Sequence, residues 1–290
     1  MVSIHPTAII DGEVTIGTGT TVGPYVIIRG RVEIGQGVNI DAHSVIEGHA
    51  EIGDGCRIGP AAFVGTAPQH RRHDPALPTW VVIGPRTVVR EGASVHRATA
   101  TGRENATRVG TDCYLMCHSH VGHDCTVGDG VTLANATLLG GHVTVGDGAF
   151  LGGGSVFHPH VRVGRLAVVA GNEPVSHDVP PFAAVRYGGL KAYNAVGCRR
   201  AGMSQRSVHA LRRAFNRLAH DRVIGCALAA VERDEPVDPA VAELLRFVRD
   251  SHRGIVPACG AEGGRRDDGP NSGPWRLPRH AVAATTAELV

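Results

Sequence analysis

Residues 118–125, HSHVGHDC, place three histidines within six positions of an otherwise aliphatic and glycine-rich chain. An imidazole with an ordinary pKa of about 6.5 accepts a proton near neutral pH, and zinc is commonly held by histidines and cysteines. Cys113, Cys117 and Cys125 lie in or beside this stretch, although no Cys-x-x-Cys pair occurs. Three interpretations therefore stay open for the cluster: solvated edge residues, a metal site or a general base.

The composition argues against several classes of protein. The net charge is +2 with histidine neutral, so no strong field favours nucleic acid or an anionic membrane surface. No apolar run is long enough to span a bilayer, and the N-terminus lacks the features of a signal peptide. The seven cysteines are irregularly spaced and do not suggest a disulfide framework. We therefore expect a cytoplasmic protein without a nucleic-acid partner or stable membrane insertion.

Large apolar residues recur at every sixth position over the first two thirds of the chain, through residues 4–64, 83–95 and 109–169. A period of six fits neither an α-helix nor a single strand. It fits a β-solenoid, in which each hexapeptide supplies a short strand and a corner. Three hexapeptides make one triangular coil, so residues eighteen apart stack about 4.8 Å from one another. The pattern predicts a mainly β parallel solenoid.

The breaks in this period predict the domain organisation. We expect a solenoid over residues 1–188 with loops at 65–82 and 96–108, a helical C-terminal domain over 189–256 and a disordered tail over 257–290. The helical domain is indicated by apolar residues at helical spacing and by two N-cap signals, Ser204 and Asp238. The tail consists mainly of small and polar residues and is rich in glycine and proline, a composition that disfavours a packed core.

The coil period gathers histidines that are distant in sequence. Four of them are predicted at one edge of the solenoid: His120, His123, His142 and His158. Asp124, His142 and His160 even form a strict column with a spacing of eighteen. This grouping makes an idle solvated edge the least favoured interpretation, whereas zinc ligation and general-base catalysis both stay open.

Four strings resemble the acyl-[acyl-carrier-protein]–UDP-N-acetylglucosamine O-acyltransferases of the lipid A pathway: HRATATGRENATRVGTD, HSHVGHDCTVG, LLGGHVTVGD and VSHDVPPF. The resemblance covers residues 3–256. It implies a left-handed parallel β-helix and a homotrimer with active sites between subunits. It also implies transfer of an acyl chain from acyl carrier protein to the 3-hydroxyl of a UDP-sugar. Neither a cofactor nor a metal is expected.

The same resemblance assigns roles to individual residues. His123 matches the catalytic base, Asp124 its carboxylate partner and Gly141 the glycine whose N–H receives the oxyanion. Substrate-contacting positions are matched by His120, His142, His158, Gln69, Arg72, Asn194, Arg200 and Gly171, the last where the family limits acyl-chain length. A base suits this chemistry because a sugar hydroxyl is a weak nucleophile at neutral pH, and an N–H donor suits the developing oxyanion.

The chain departs from the family pattern in the regions that recognise the sugar nucleotide. The first loop reads Gln-His-Arg-Arg at residues 69–72, where the family usually has Gln-Asp-Leu-Lys. Pro159 stands where glutamine is usual, and Val196 where glutamate is usual. The acceptor is therefore UDP-N-acetylglucosamine or a relative. An N-acyltransferase, a metal-dependent hydratase of the carbonic anhydrase type and a scaffold without catalysis stay open as alternatives.

Overall fold

A computed structural model describes residues 1–220, 224–234 and 238–258 of the chain. Most of the predicted tail, residues 259–290, lies outside these described residues. Within them the chain forms twenty-five β-strands, one short 3-10 turn and four α-helices close to the C-terminus. The expected mainly β parallel solenoid with C-terminal helices is confirmed. No helix in the described ranges is long and apolar enough to cross a membrane.

The strands are short because each belongs to one side of a triangular coil. In chain order they are β1 (Ser3–Ile4), β2 (Ile9–Ile16), β3 (Thr21–Val22), β4 (Ile27–Ile34), β5 (Asn39–Ile40), β6 (Val45–Ile52), β7 (Arg57–Ile58), β8 (Phe63–Thr66), β9 (Trp80–Ile83), β10 (Val88–Val89), β11 (Ser94–His96), β12 (Thr107–Val109), β13 (Tyr114–Leu115), β14 (His120–Val121), β15 (Thr126–Val127), β16 (Thr132–Leu133), β17 (Leu138–Leu139), β18 (Thr144–Val145), β19 (Phe150–Leu151), β20 (Val156–Phe157), β21 (Arg162–Val163), β22 (Val168–Val169), β23 (Pro174–Val175), β24 (Ala183–Arg186) and β25 (Gly189–Tyr193).

These strands pair into the three faces of the solenoid. The first face runs β1-β3-β5-β7-β10-β13-β16-β19-β22-β24-β25, and the second carries β8-β11-β14-β17-β20-β23. The third face carries β9-β12-β15-β18-β21, whereas the eight-residue strands β2, β4 and β6 cross from the second face to the third. We call the corner between the first and second faces the first corner, that between the second and third the second corner, and the remaining one the third corner.

The core is the column of inward-pointing apolar side chains that the six-residue period predicted. On the second face it contains, all fully buried, Ile28, Ile46, Val64, Val95, Val121 and Leu139. Parallel pairing keeps neighbouring coils in register, as in Leu139 opposite Phe157, eighteen residues later. Residues at equivalent corner positions are therefore stacked in columns along the axis.

Two excursions leave the solenoid at the second corner. The first lies between β8 and β9, and pairs across it are 31 residues apart instead of 18, as for Val89 and Ile58. The second lies between β11 and β12, with partners 26 residues apart, as for Val89 and Leu115. It holds the 3-10 turn Arg103–Asn105. Pairing resumes in register after each excursion, so the stack itself is uninterrupted.

Four helices follow the solenoid: α1 (Ala195–Arg200), α2 (Gln205–His220), α3 (Ile224–Asp234) and α4 (Pro239–Arg249). Ser204 Oγ accepts a hydrogen bond from Ser207 N at the start of α2, and Asp238 accepts from Ala240 N and Val241 N at the start of α4. Both predicted N-caps are confirmed. The bounds of the predicted domains stay a prediction, since they depend on where one folding unit ends and not on single elements.

Candidate active site

His123 lies on the second corner, against the chain of the next coil. Its imidazole lies over Gly141, where an added Cβ would come 2.5 Å from the ring. Glycine at position 141 is therefore required for the ring to take this place. In the described part of the chain nothing accepts a hydrogen bond from the Gly141 N–H, although Gly140 N and His142 N on either side donate to Phe157 O and His123 O. One free donor thus lies beside the imidazole.

Asp124 is the carboxylate partner of His123. The distance between His123 Nδ1 and Asp124 Oδ2 is 2.7 Å. Two consecutive residues on a flat strand would point to opposite faces, but Asp124 has a left-handed φ of 60° at the corner. This turn brings the carboxylate back toward the preceding ring. With Nδ1 donating to the carboxylate, Nε2 is the ring nitrogen with a lone pair.

The second excursion holds the Asp124 carboxylate in place. Thr99 N donates to Asp124 Oδ1 at 2.9 Å, and Thr99 Oγ1 donates to Oδ2 at 2.8 Å. Asp124 N donates to Thr107 Oγ1 at 2.8 Å. Burial would raise the pKa of Asp124, but the hydrogen bonds from His123 and Thr99 outweigh it and lower this pKa to about 2. The carboxylate is therefore ionised at neutral pH.

His142 and His160 continue the column above Asp124. His142 Nε2 lies 3.4 Å from Asp124 Oδ2, and the His142 and His160 rings are stacked with centroids 4.5 Å apart. Burial lowers the pKa of His142, although the negative charge of Asp124 opposes this shift. The predicted column of eighteen-residue spacing is thus present. His160, which the resemblance assigned no role, belongs to it.

His120 lies one residue before the second-face core position and is half-buried beside the cluster. Its Nδ1 lies 2.9 Å from Ser94 Oγ, and its ring contacts His96 edge to face, with centroids 5.1 Å apart. Burial, followed by the charges of His96 and His123, lowers the pKa of His120 to about 4. His120 is therefore a neutral hydrogen-bonding group at pH 7 and is not suited to being a base there.

The first excursion lies over the site. The exposed His70 side chain contacts the His123 ring edge to face, with centroids 5.8 Å apart. Arg97 supports the base of this excursion by donating to Thr79 Oγ1 and Gly65 O, and burial lowers its pKa. His70 occupies the place in this chain where the resemblance leads one to expect a carboxylate.

His158 lies one coil above, near the C-terminal end of the described chain. Arg253 Nη2 lies 2.9 Å from His158 Nδ1, and Arg253 Nη1 donates to Pro159 O at 2.9 Å. Nothing in the sequence pattern pointed to Arg253, because it is 95 residues from His158 and outside the six-residue period. The C-terminal segment thus fixes the upper end of the histidine cluster.

The other predicted site residues are less concentrated. Gln69 is exposed on the first excursion near His70. Asn194 is the N-cap of α1, accepting from Gly197 N and donating to Leu166 O at 2.8 Å, and Arg200 is exposed at the end of that helix. Arg72 is exposed on the first excursion. A Cβ added at Gly171 would come 2.9 Å from Gly153 O. Gly171 lies on the first corner and the histidine cluster on the second, so a single chain does not bring them together.

The arrangement of His123, Asp124 and the Gly141 N–H suits general-base catalysis. An imidazole with an ionised carboxylate on one nitrogen and a lone pair on the other is a general base. A free amide N–H beside it can stabilise an oxyanion. On a hexapeptide solenoid, this combination is typical of an acyltransferase that deprotonates a hydroxyl or amine.

Comparison with known proteins agrees. Residues 31–66 match the family model described as bacterial transferase hexapeptide (six repeats), and residues 178–256 match the second domain of Udp N-acetylglucosamine O-acyltransferase. An acyl-[acyl-carrier-protein]–UDP-N-acetylglucosamine O-acyltransferase of Aliivibrio fischeri is 38% identical, over 87% of this chain and 97% of its own. The corresponding protein of Thermodesulfovibrio yellowstonii is 37% identical over 88% and 99%.

Solved structures give the same result. LpxA from Acinetobacter baumannii superposes with a TM-score of 0.81 at 33% identity, covering 87% of this chain and 99% of its own. A UDP-N-acetylglucosamine acyltransferase from Campylobacter jejuni gives 0.80 at 30% identity over 88% and 99%. The chain belongs to the UDP-N-acetylglucosamine O-acyltransferase family, and it is an acyltransferase.

Proposed function

We propose that this chain transfers an acyl chain from acyl carrier protein to the 3-hydroxyl of UDP-N-acetylglucosamine or a close relative, the first step of lipid A biosynthesis. The observation that carries the proposal is the His123–Asp124 pair beside the N–H of Gly141. The relatives are named for the same donor and acceptor, acyl carrier protein and UDP-N-acetylglucosamine. A cytoplasmic location follows from the use of a carrier protein and a sugar nucleotide.

In the proposed mechanism His123 Nε2 takes the proton of the acceptor hydroxyl as its oxygen attacks the thioester carbonyl. The imidazolium that forms is stabilised by Asp124, which accepts from Nδ1 at 2.7 Å. Gly141 N–H donates to the oxyanion of the tetrahedral intermediate. Collapse of the intermediate expels the carrier-protein thiolate, which takes up the proton from His123.

Acceptor contacts are assigned to the remaining residues of the cluster. His142 and His158 lie on the same corner as the base, and His120 lies in β14 just before it. Gln69 and Arg72 are exposed on the first excursion. A diphosphate suits an exposed arginine such as Arg200. Because His70 stands in the loop in place of a carboxylate, we assign the acceptor as a class, UDP-N-acetylglucosamine and its close relatives.

A homotrimer is the second part of the proposal. The outward positions of the second face form a partly exposed apolar stripe that contains Ile9, Ile27, Val45, Phe63, Leu138 and Val156. Apolar side chains in such a row favour burial against another chain. If the second face turns to a three-fold axis, the second corner of each subunit meets the first corner of its neighbour. Gly171 of one chain would then lie next to the histidines of another.

The activity test uses the full chain, purified acyl carrier protein charged with acyl groups of several lengths, and UDP-N-acetylglucosamine. We expect an acylated sugar nucleotide whose acyl group is released by hydroxylamine, as for an ester. A parallel reaction uses a UDP-sugar that carries a free amine. Efficient turnover of this acceptor alone, to a product that resists hydroxylamine, would identify an amide and favour the N-acyltransferase alternative. Absence of product with all donors and with both hydroxyl- and amine-bearing acceptors would contradict the proposal.

The assembly test is light scattering coupled to size exclusion at working concentration. We expect the mass of three chains. A polar substitution in the apolar stripe, Leu138→Glu, should shift the mass toward one chain and reduce turnover with it, whereas Thr144→Glu on the third face should do neither. A wild-type monomer with full turnover would contradict the shared site.

A further inference from the structure

The second corner also contains an arrangement of donors that suits a transition metal. Ligand atoms of His123, Asp124 and His142 all lie within 4.8 Å of one another. It is the one such group of three or more among the residues that the structure describes. The ring centroids of His123 and His142 are 5.3 Å apart, with the planes at 90°. Imidazoles that share a tetrahedral zinc, with Zn–N bonds of about 2 Å, have centroids about 5 Å apart.

A further imidazole comes from the first excursion. The His70 ring contacts His123 edge to face, at a centroid distance of 5.8 Å. The side chain of His70 is exposed, so a rotation about its side-chain torsions can aim a ring nitrogen at the space between His123 and His142. Three imidazoles and one carboxylate are a complete ligand set for zinc.

The carboxylate has capacity for this additional partner. Asp124 accepts three hydrogen bonds, two from Thr99 and one from His123. An ion on His123 Nδ1 replaces the hydrogen bond from His123, and an ionised carboxylate with about four acceptor sites can bind the ion and keep both bonds from Thr99. Thr99 would remain bound on metal binding and hold the carboxylate in position, as outer-shell partners do in metal sites.

We propose that His70, His123, His142 and Asp124 form a reversible inhibitory site for zinc and chemically similar divalent ions. The ion is not a resident cofactor. The ion binds His123 at Nδ1, the ring nitrogen that faces Asp124, with His142 on the same carboxylate oxygen. The ring proton then stays on Nε2, which can no longer take a proton from the acceptor, so metal binding and acyl transfer exclude one another. This consequence for turnover rests on the proposed function, whereas metal binding itself does not.

The experiment separates binding from inhibition. Chelator-treated full-length protein is titrated with Co²⁺, and binding is followed by the visible absorption bands typical of four-coordinate Co²⁺, with Zn²⁺ then added to displace it. We expect one site per chain. His142→Gln should weaken Co²⁺ binding by about 100-fold and His70→Gln by about 10-fold, in the range expected for loss of a ligand or supporting group.

His118→Gln is the matched control, because it removes a histidine of the same HSHVGHDC stretch that lies on the first corner against Gly92. Co²⁺ binding should be unchanged in this variant. Turnover is then measured against Zn²⁺, relative to each variant's own metal-free rate. The Zn²⁺ concentration for half inhibition should rise about 10-fold in His70→Gln and stay unchanged in His118→Gln.

Two outcomes would overturn the inference. One is the absence of four-coordinate Co²⁺ bands in the wild type. The other is binding that is equally strong in wild type, His70→Gln and His142→Gln. If Co²⁺ binds as expected but no acyl donor is turned over, the metal site stands and the proposed function fails. Turnover without Co²⁺ binding or Zn²⁺ inhibition would support the proposed function and contradict the metal site.

Discussion

The second and third corners of the solenoid use the same backbone turn for different purposes. The third corner reads Gly-Asp-Gly in two successive coils, at residues 128–130 and 146–148, whereas the second reads Gly-His-Asp at 122–124. The third position is left-handed in all of them, with φ of 63° at Gly130 and 60° at Asp124. Only the side chains differ.

At the third corner the aspartates belong to the scaffold. Asp54, Asp129 and Asp147 each accept a hydrogen bond from the backbone N–H eighteen residues earlier, at 2.7 to 2.9 Å. At the second corner Asp124 instead binds a histidine and an excursion. A carboxylate bonded to the neighbouring coil supports the stack, whereas one bonded to an imidazole is available for chemistry.

The largest effect that would test this distinction is at His123. His123→Ala should lower kcat by about 10²–10⁴-fold, because a positioned general base is removed, with little change in sugar-nucleotide affinity. Near wild-type turnover of the variant with long-chain donors would contradict the assignment. Steady-state kinetics, with nucleotide affinity by calorimetry, provide the measurement.

His142 and His158 should behave differently from the base. His142→Ala and His158→Ala should raise KM as well as lower kcat, since both are assigned to acceptor contact. Both folds should persist because neither side chain belongs to the buried core. Circular dichroism checks the fold. A loss confined to kcat in either variant would move that residue into the group that acts only in the transition state.

The next effect concerns Thr99, the residue that orients the carboxylate. Thr99→Val removes the donor to Asp124 Oδ2 and should reduce kcat about 10-fold at unchanged KM, since one charge-assisted hydrogen bond contributes about 1.5 kcal/mol. Thr99→Ser keeps the hydroxyl and should restore most of the rate. Equal rates for the Val and Ser variants would show that the backbone N–H alone orients Asp124.

Acid should destabilise the second corner. The pKa of His120 in the folded protein is about 4, below the unfolded value of about 6.5, so the unfolded chain binds more protons between these values and the free energy of unfolding falls as pH falls through them. From pH 6.5 to 5 this loss is on the order of 1–2 kcal/mol for one group. His120→Gln should flatten the dependence in urea melts, and an unchanged slope would contradict the cause.

The smallest expected effect concerns Asp129 at the third corner, where we expect a loss of stability without a loss of activity. Asp129→Ala removes the acceptor for Thr111 N at the third corner and should lower the free energy of unfolding by about 1 kcal/mol. Turnover per folded chain should stay at the wild-type value. A loss of kcat comparable to that of Thr99→Val would mean that the two corners are not separate in function.

The sequence predicted the stack well because a period of six constrains every coil. The burial of Val121 and Leu139, and the stacked column from Asp124 to His160, follow from that period alone. The pairing of His123 with Asp124 does not follow from the six-residue period, because adjacent side chains on a strand point to opposite faces. Only the left-handed φ of Asp124 brings its carboxylate back to the His123 ring.

Other parts of the site had no periodic signal. Thr99 lies in an excursion, where spacing carries no information about contacts, and Arg253 reaches His158 from the far end of the chain. The helices α2 and α4 were predicted from their caps, whereas α1 has only six residues, too few for a helical apolar pattern. The six-residue and helical patterns therefore could not predict the tertiary contacts that the irregular segments make with the site.

The resumption of register after each excursion has a consequence for how such enzymes diversify. Thirteen extra residues enter between β8 and β9, and eight between β11 and β12, yet Val89 still pairs with Ile58 below and Leu115 above. Insertions here can lengthen, shorten or change composition over generations without moving the coil that carries the base. A change in the first excursion can therefore alter the residues beside His123, such as His70, while the His123–Asp124 pair and its support from Thr99 in the second excursion stay in place.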